Sequence, residues 1–245
     1  MPQPRYRYTT SYYGFPPGVK WLIIINTAVF VFSFLGGPSI AGHMETLFGL
    51  IAAGVVQNLY VWQLFTYMFL HGGVLHLLFN MLTLWFFGTQ LEQDWGTRRF
   101  LKYYFLCGLA AGICVCVADV LAGHLFIPTI GASGAIFGVL VAFGVLYPNQ
   151  TVLMSFLFPI KAKYMVMIYA AIEVLFTFRP EAGVSNIAHL GGMAFGYLYL
   201  KRRLPSIHVR LPDVGGAYHR WRIARAKRKF QVYLKKQDKR GPWVN

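Results

Sequence analysis

Residues 130–146 read IGASGAIFGVLVAFGVL, and no charged side chain interrupts them. A run of this length lies at the lower end of the roughly 17 to 25 apolar residues that cross a bilayer as a helix. Gly134 and Gly138 stand four apart, so both fall on one helical face, where the missing side chains let a second helix approach closely. Ser133 opens the run. A polar side chain at such a depth usually faces the bundle interior or a cavity rather than lipid, and it is a functional candidate by default.

Working outward, five further runs have spanning character: 19–35, 75–91, 100–121, 162–178 and 187–200. Of the 245 residues, 56% are hydrophobic and 13% charged, with mean hydropathy +0.49. A soluble domain carries about a quarter charged residues, so this composition excludes one. The expected fold is an all-α membrane protein, a bundle of six transmembrane helices with a long first extracytoplasmic loop. Within that loop, 47–56 and 62–70 are too short to span and read as interfacial or re-entrant pieces. The three cysteines, Cys107, Cys114 and Cys116, lie in one apolar run and imply no disulfide framework.

Charge sets the direction of the spans. Lys and Arg concentrate in cytoplasmic loops, and here Arg5, Arg7 and Lys20 precede the first span, Arg98, Arg99 and Lys102 follow the second, and Lys161 and Lys163 precede the fifth. Fourteen of the 23 cations lie between Lys201 and Arg240, whereas Arg179 is the single cation on the opposite side. Both termini are therefore expected in the cytoplasm, since a seventh span would carry the basic tail outside. The first run is read as a retained helix, because no small-residue cleavage site closes it. The domain division is 1–18, a cytoplasmic N-terminal segment; 19–200, the six-span body; and 201–245, a basic cytoplasmic tail. With Trp221, Phe230, Val232 and Tyr233 among its cations, the tail reads either as an interfacial helix on anionic lipid or as a solvated extension. Tethered to a membrane, it is not expected to bind nucleic acid.

Spans two, four and six share one direction, so their starts lie at one outer level. His76 and Asn80 near the start of span two, Ser133 in span four and His189 in span six can therefore meet. His76 and Asn80 stand four apart on one face. His189 precedes Gly192 and Gly196, which repeat the spacing of Gly134 and Gly138. Two helices trimmed in this way can bring a hydroxyl and an imidazole to the ~2.6 to 3.2 Å of a nucleophile and its base. Each residue alone also has a plainer reading, small residues as packing and histidines as polar bridges between helices. The conjunction at one depth favours chemistry.

Four strings carry a further resemblance: WQLFT at 62–66, HGGVLHLLFN at 71–80, GASGAIFG at 131–138 and AHLGGMAFG at 188–196. In this ordered set the chain resembles the rhomboid family of intramembrane serine proteases over the whole six-span body. The resemblance implies that Ser133 is the nucleophile and His189 its general base, a dyad with no acidic third member. It implies an oxyanion hole of His76, Asn80 and the Ser133 backbone N–H, packing of Phe137 against His189, and structural support from His71. Gly131, Gly134, Gly192 and Gly196 complete the supporting set. One departure is visible: many members have Trp-Arg where this chain has Trp62-Gln63, which removes a guanidinium from the first loop.

The expected activity is hydrolysis of peptide bonds in or near transmembrane segments, without metal or cofactor, in a bacterial inner membrane. The partners are transmembrane substrates, carrying helix-weakening residues near the cut, and membrane lipid; the oligomeric state is open. The nearest alternative is a non-proteolytic relative that binds transmembrane segments for quality control. A metal site fits less well, since the His-Glu-x-x-His string is absent, and a transporter would show paired broken helices. Glu173 in span five reads equally as part of a movable lateral gate or as a protonated carboxyl bonded within the bundle.

Overall fold

The structure, a computed structural model, describes residues 15–154, 157–177 and 185–203 together with 222, 223, 225 and 227. The N-terminal Arg5 and Arg7, the end of span five with Arg179, and most of the basic tail lie outside the described residues, the tail aromatics Trp221, Phe230, Val232 and Tyr233 among them. The chain divides into two compact units, 1–205 and 206–245.

Each of the six apolar runs coincides with a helix. Helix α1 covers Pro17–Leu35. The second run becomes α5 (Val74–Thr83), a π turn at Leu84–Gly88 and α6 (Thr89–Trp95) in continuous succession. Helix α7 covers Thr97–Ala122, α8 Ser133–Leu146, α9 Ala162–Thr177 and α10 Ser185–Arg203. Three of these, Pro17–Leu35, Val74–Trp95 and Thr97–Ala122, are long and apolar enough to cross a membrane, and Ser133–Leu146 is a shorter apolar helix. Large apolar side chains such as Trp21, Phe32, Phe34, Leu75, Phe79 and Leu175 stand exposed on the outer faces. A surface of that kind suits acyl chains rather than water, and the protein is an integral membrane protein.

The start of α1 shows how the bundle is tied together. A helix begins with unpaired N–H groups and a positive dipole end. Here the buried Glu92 of α6 answers both: the Gly18 and Val19 amides donate to its two carboxylate oxygens at 2.7 Å each, and the Thr97 hydroxyl donates at 2.6 Å. At Gly18 a Cβ would stand 2.9 Å from those oxygens, so the close approach requires glycine. At the same end of the second run, the Tyr147 hydroxyl donates to Asp94, and Gln90 and Gln150 exchange side-chain amide bonds.

The two short pieces of the first loop do not span. Residues 47–56 divide between the end of α2 (Gly37–Phe48), a single bridge from Leu50 to Thr129, and α3 (Ala52–Val56). Residues 62–70 form α4 (Gln63–Thr66) and a 3-10 turn at Tyr67–Phe69. Gln63 occupies the anchoring position whose guanidinium is missing. It is fully buried, accepts the Ile51 amide at 3.2 Å, and donates to the Thr46 carbonyl at 3.0 Å. The loop is thus pinned from Gln63 itself, with Trp62 and Thr66 donating to the Leu47 and Phe48 carbonyls.

The fold is not purely helical. Between α8 and α9, strands β1 (Thr151–Met154) and β2 (Phe158–Lys161) pair antiparallel, with Val152 opposite Ile160. A pairing of four residues is too short for hydropathy to separate from a loop.

Helices α7, α8 and α10 form the centre. The α8–α10 seam is so close that a Cβ at Gly192 would overlap the Gly134 carbonyl oxygen. One at Gly138 would stand 2.6 Å from Cys107 Sγ, and one at Gly196 would stand 2.5 Å from Tyr103 Oη. The Tyr103 hydroxyl donates to the Gly138 carbonyl at 2.8 Å, and that of Tyr67 to the Gly108 carbonyl at 2.7 Å. These bonds satisfy polar groups at a depth where water cannot. The three cysteines are free.

Candidate active site

Ser133 is the first residue of α8, and its backbone N–H is one of the amides that the helix leaves unpaired. The chain enters through Gly131, whose φ of +125° lies where side chains are rarely tolerated. Space imposes the same choice, because a Cβ there would stand 2.8 Å from His76 Nε2 and 3.7 Å from Ser133 Oγ. His76 and Ser133 therefore both face the bare Gly131 backbone, which is held by its amide donating to the Tyr67 carbonyl at 2.9 Å.

One turn into α10, His189 brings Nε2 to 2.8 Å from Ser133 Oγ. The glycine seam makes this possible, since the two helix axes approach at Gly134 and Gly192, within a turn of the two side chains. Phe137, one turn after the serine, stacks on the imidazole with centroids 4.2 Å apart and planes 16° from parallel. Ser133 and His189 are half-buried, so the pair keeps contact with the exterior of the bundle.

On α5, Asn80 is buried, and its Nδ2 has no hydrogen-bond partner among the described residues. An amide donor left unpaired in an apolar interior is costly unless something else uses it. His71, in the loop before α5, sets its ring edge-on against His76 at 5.0 Å. Among the described residues, its ring nitrogens have no hydrogen-bond partner of normal geometry. Burial, reinforced by the neighbouring His76, pushes its pKa down to about 4. His71 is thus held neutral and shapes the position of the ring beside Ser133.

A further neighbour of this cluster is Glu173, for which the sequence carries two readings. Glu173, on α9, places Oε2 at 3.0 Å from His189 Nδ1, off the line of an N–H bond, so the contact is a close polar approach and not a formed hydrogen bond. Glu173 thus stands beside the histidine of a pair to which the family resemblance assigns no acidic third member. Depth held the signal. On the direction expected from the charge pattern, span five runs outward, and eleven residues at 1.5 Å each carry Glu173 about 16 Å along the helix from Ala162, toward the level expected for the start of span six. Among the described residues, no three His, Cys, Asp or Glu side chains gather as a metal site.

Known proteins share this framework. The Rhomboid domain family model matches residues 58–205, which takes in Gln63, His71, His76, Asn80, Ser133, Glu173 and His189. RHOMBOID-like protein 2 of Arabidopsis thaliana is 32% identical over 203 residues, 81% of this chain and 58% of that relative. Rhomboid protease GluP of Bacillus subtilis is 37% identical over 189 residues, 75% of this chain and 34% of the relative. From the same bacterium, the putative rhomboid protease YdcA is 30% identical over 184 residues, 74% of this chain and 86% of that protein. The chain spans 39% of RHOMBOID-like protein 4 and 39% of RHOMBOID-like protein 1 of Arabidopsis, so those relatives extend well beyond it. Matched through most of its helical body, and carrying its polar cluster inside the matched region, the chain belongs to the rhomboid family.

Proposed function

We propose that the chain is an intramembrane serine endopeptidase that hydrolyses peptide bonds in or near transmembrane segments. One observation carries the reading: a serine hydroxyl at a helix start stands 2.8 Å from an imidazole nitrogen whose ring is clamped by Phe137. The names of the two Bacillus relatives support the same class of activity.

In this reading His189 Nε2 accepts the Ser133 proton as Oγ bonds to the substrate carbonyl carbon, and the carbonyl oxygen becomes an oxyanion. Asn80, His76 and the Ser133 amide are the donors that receive it, and Asn80 Nδ2 makes no hydrogen bond to any of the described residues. The imidazolium then gives its proton to the leaving amine. Water, activated by the same base, releases the acyl group. Transmembrane segments are the substrate class because the pair lies among lipid-facing helices, and helix-weakening residues at the cut expose a bond that neighbouring turns otherwise shield. Six spans, cytoplasmic termini and a bacterial inner membrane complete the proposal.

The test is cleavage of a single-span substrate by the purified full chain in liposomes, alongside Ser133→Ala, His189→Ala and a chelator. Wild type cleaves, both variants lose cleavage, and the chelator has no effect. Cleavage that survives Ser133→Ala overturns the proposal, as does binding of the segment without cleavage or fluorophosphonate labelling, which would mark a non-proteolytic binder.

A further inference from the structure

We propose that Glu173 is a positioning residue for His189, a carboxylate that selects the imidazole orientation and tautomer in which Nε2 is free to accept the Ser133 proton. This inference rests on the proteolytic reading of Ser133 and His189 and adds a third participant to it.

Stacking on Phe137 fixes the plane of the imidazole but not its orientation within that plane. A half-turn about the bond joining ring to chain leaves the plane unchanged. It exchanges Nδ1 with Cδ2 and moves Nε2 away from Ser133 Oγ. An aromatic face cannot distinguish the two orientations, whereas a polar partner at Nδ1 can. Among the described residues, no atom makes a hydrogen bond of normal geometry to Nδ1, and the Glu173 carboxylate is the charged group beside it, at 3.0 Å. The two side chains are 17% and 12% exposed, so little water competes for either.

The tautomer has the same requirement. For Nε2 to take a proton, Nδ1 must already carry one, and a carboxylate at Nδ1 favours that form. Rotation about the last side-chain bond of Glu173, a soft torsion, aligns an oxygen with the Nδ1–H direction. As the Oγ–H bond breaks and Oγ bonds to carbon, the proton moves to Nε2. The Nδ1–H bond persists, and the carboxylate remains unprotonated while it balances the imidazolium. A carboxyl group at this depth is expensive unless it is paired, and His189 is the partner within reach.

The experiment compares wild type, Glu173→Gln, Glu173→Asp and Glu173→Leu as full chains in liposomes. It measures kcat and KM on a single-span peptide, and reads the His189 tautomer from imidazole ¹⁵N shifts assigned against His189→Ala. The expected result is a fall in kcat of at least about tenfold for Glu173→Leu with KM within about twofold, partial recovery in Glu173→Asp, and loss of the pure Nδ1–H signature in Glu173→Leu. The near-isosteric Glu173→Gln guards against a folding defect, and is expected to show a smaller kcat loss with an unchanged melting profile. Full kcat in both Glu173→Gln and Glu173→Leu, or an unchanged tautomer in Glu173→Leu, overturns the role of Glu173 while leaving the serine protease intact. A wild type that never cleaves, yet loses its Nδ1–H signature in Glu173→Leu, overturns the proteolytic reading and keeps the orienting contact.

Discussion

The imidazole of His189 is met from two sides by helices of opposite character. On the α8 side every residue from Gly134 to Gly144 except Phe137 is buried, and the seam with α10 leaves no room for a methyl group at Gly192. On the α9 side only Ala162 and Met165, both near the helix start, are buried. The outer half carries Ile172, Val174, Leu175 and Phe176 on exposed surface, with Leu175 at 70%. The contact that demands constant geometry, hydroxyl to imidazole, thus sits where backbones are locked. The Glu173 contact sits on a helix held mainly at its far end. Local stability follows the density of buried apolar contacts, so α9 is the element able to shift without disturbing the pair. The structure therefore adds a contact to both sequence-based readings of Glu173. It has a partner within the bundle, and it rides on the helix expected to act as a gate.

Variants on the locked side test this contrast most severely. Asn80→Ala removes a donor aimed from α5 while leaving the seam intact. Loss of one preorganised oxyanion donor costs about 100 to 1,000-fold in rate, so kcat is expected to fall in that range with KM nearly unchanged. A rise in KM alone would show that Asn80 binds ground-state substrate instead. Gly192→Ala attacks the seam directly. Overpacking of a tight interface costs about 1 to 3 kcal/mol, to be read from unfolding in mild detergent, with cleavage lost in proportion. Unchanged stability would show that α10 yields as readily as α9 and dissolve the comparison.

The last effect is a slope with pH and concerns His71, whose ring packs edge-on against that of His76. Its folded pKa of about 4 lies below the ordinary 6.5, so the unfolded chain takes up the proton first as pH falls. The stability it supports is present above about pH 6.5, declines by roughly 1 kcal/mol per pH unit, and is lost by about pH 4. Melting profiles between pH 7 and pH 4 should show this decline in wild type and a shallower one in His71→Phe.

Much of this was legible before any coordinates. Apolar runs marked all six principal helices, because a bilayer demands a length of hydrophobic sequence that few other constraints imitate. Charge asymmetry set their expected direction, and shared direction brought Ser133, His189, His76 and Asn80 to one level. The limits have equally physical origins. Glu92 reaches Gly18 and Val19 across more than seventy residues, a pairing without periodicity to betray it. Gln63 looked like a lost arginine until its amide was seen to need both an acceptor and a donor in the first loop. The hairpin at β1 and β2 is too short for any pattern to assert itself.

Sequence alone determined that the chain is a membrane helix bundle of this family and raised the expectation of which polar residues share a depth, because hydropathy and charge act locally along the chain. Only the tertiary structure decided which atoms touch. The 2.8 Å between Ser133 and His189, the bare approach at Gly131 and the carboxylate of Glu173 beside Nδ1 depend on how helices rotate and cross. Those angles are fixed by the fit of side chains between neighbouring helices, a property of pairs of segments that no single segment carries.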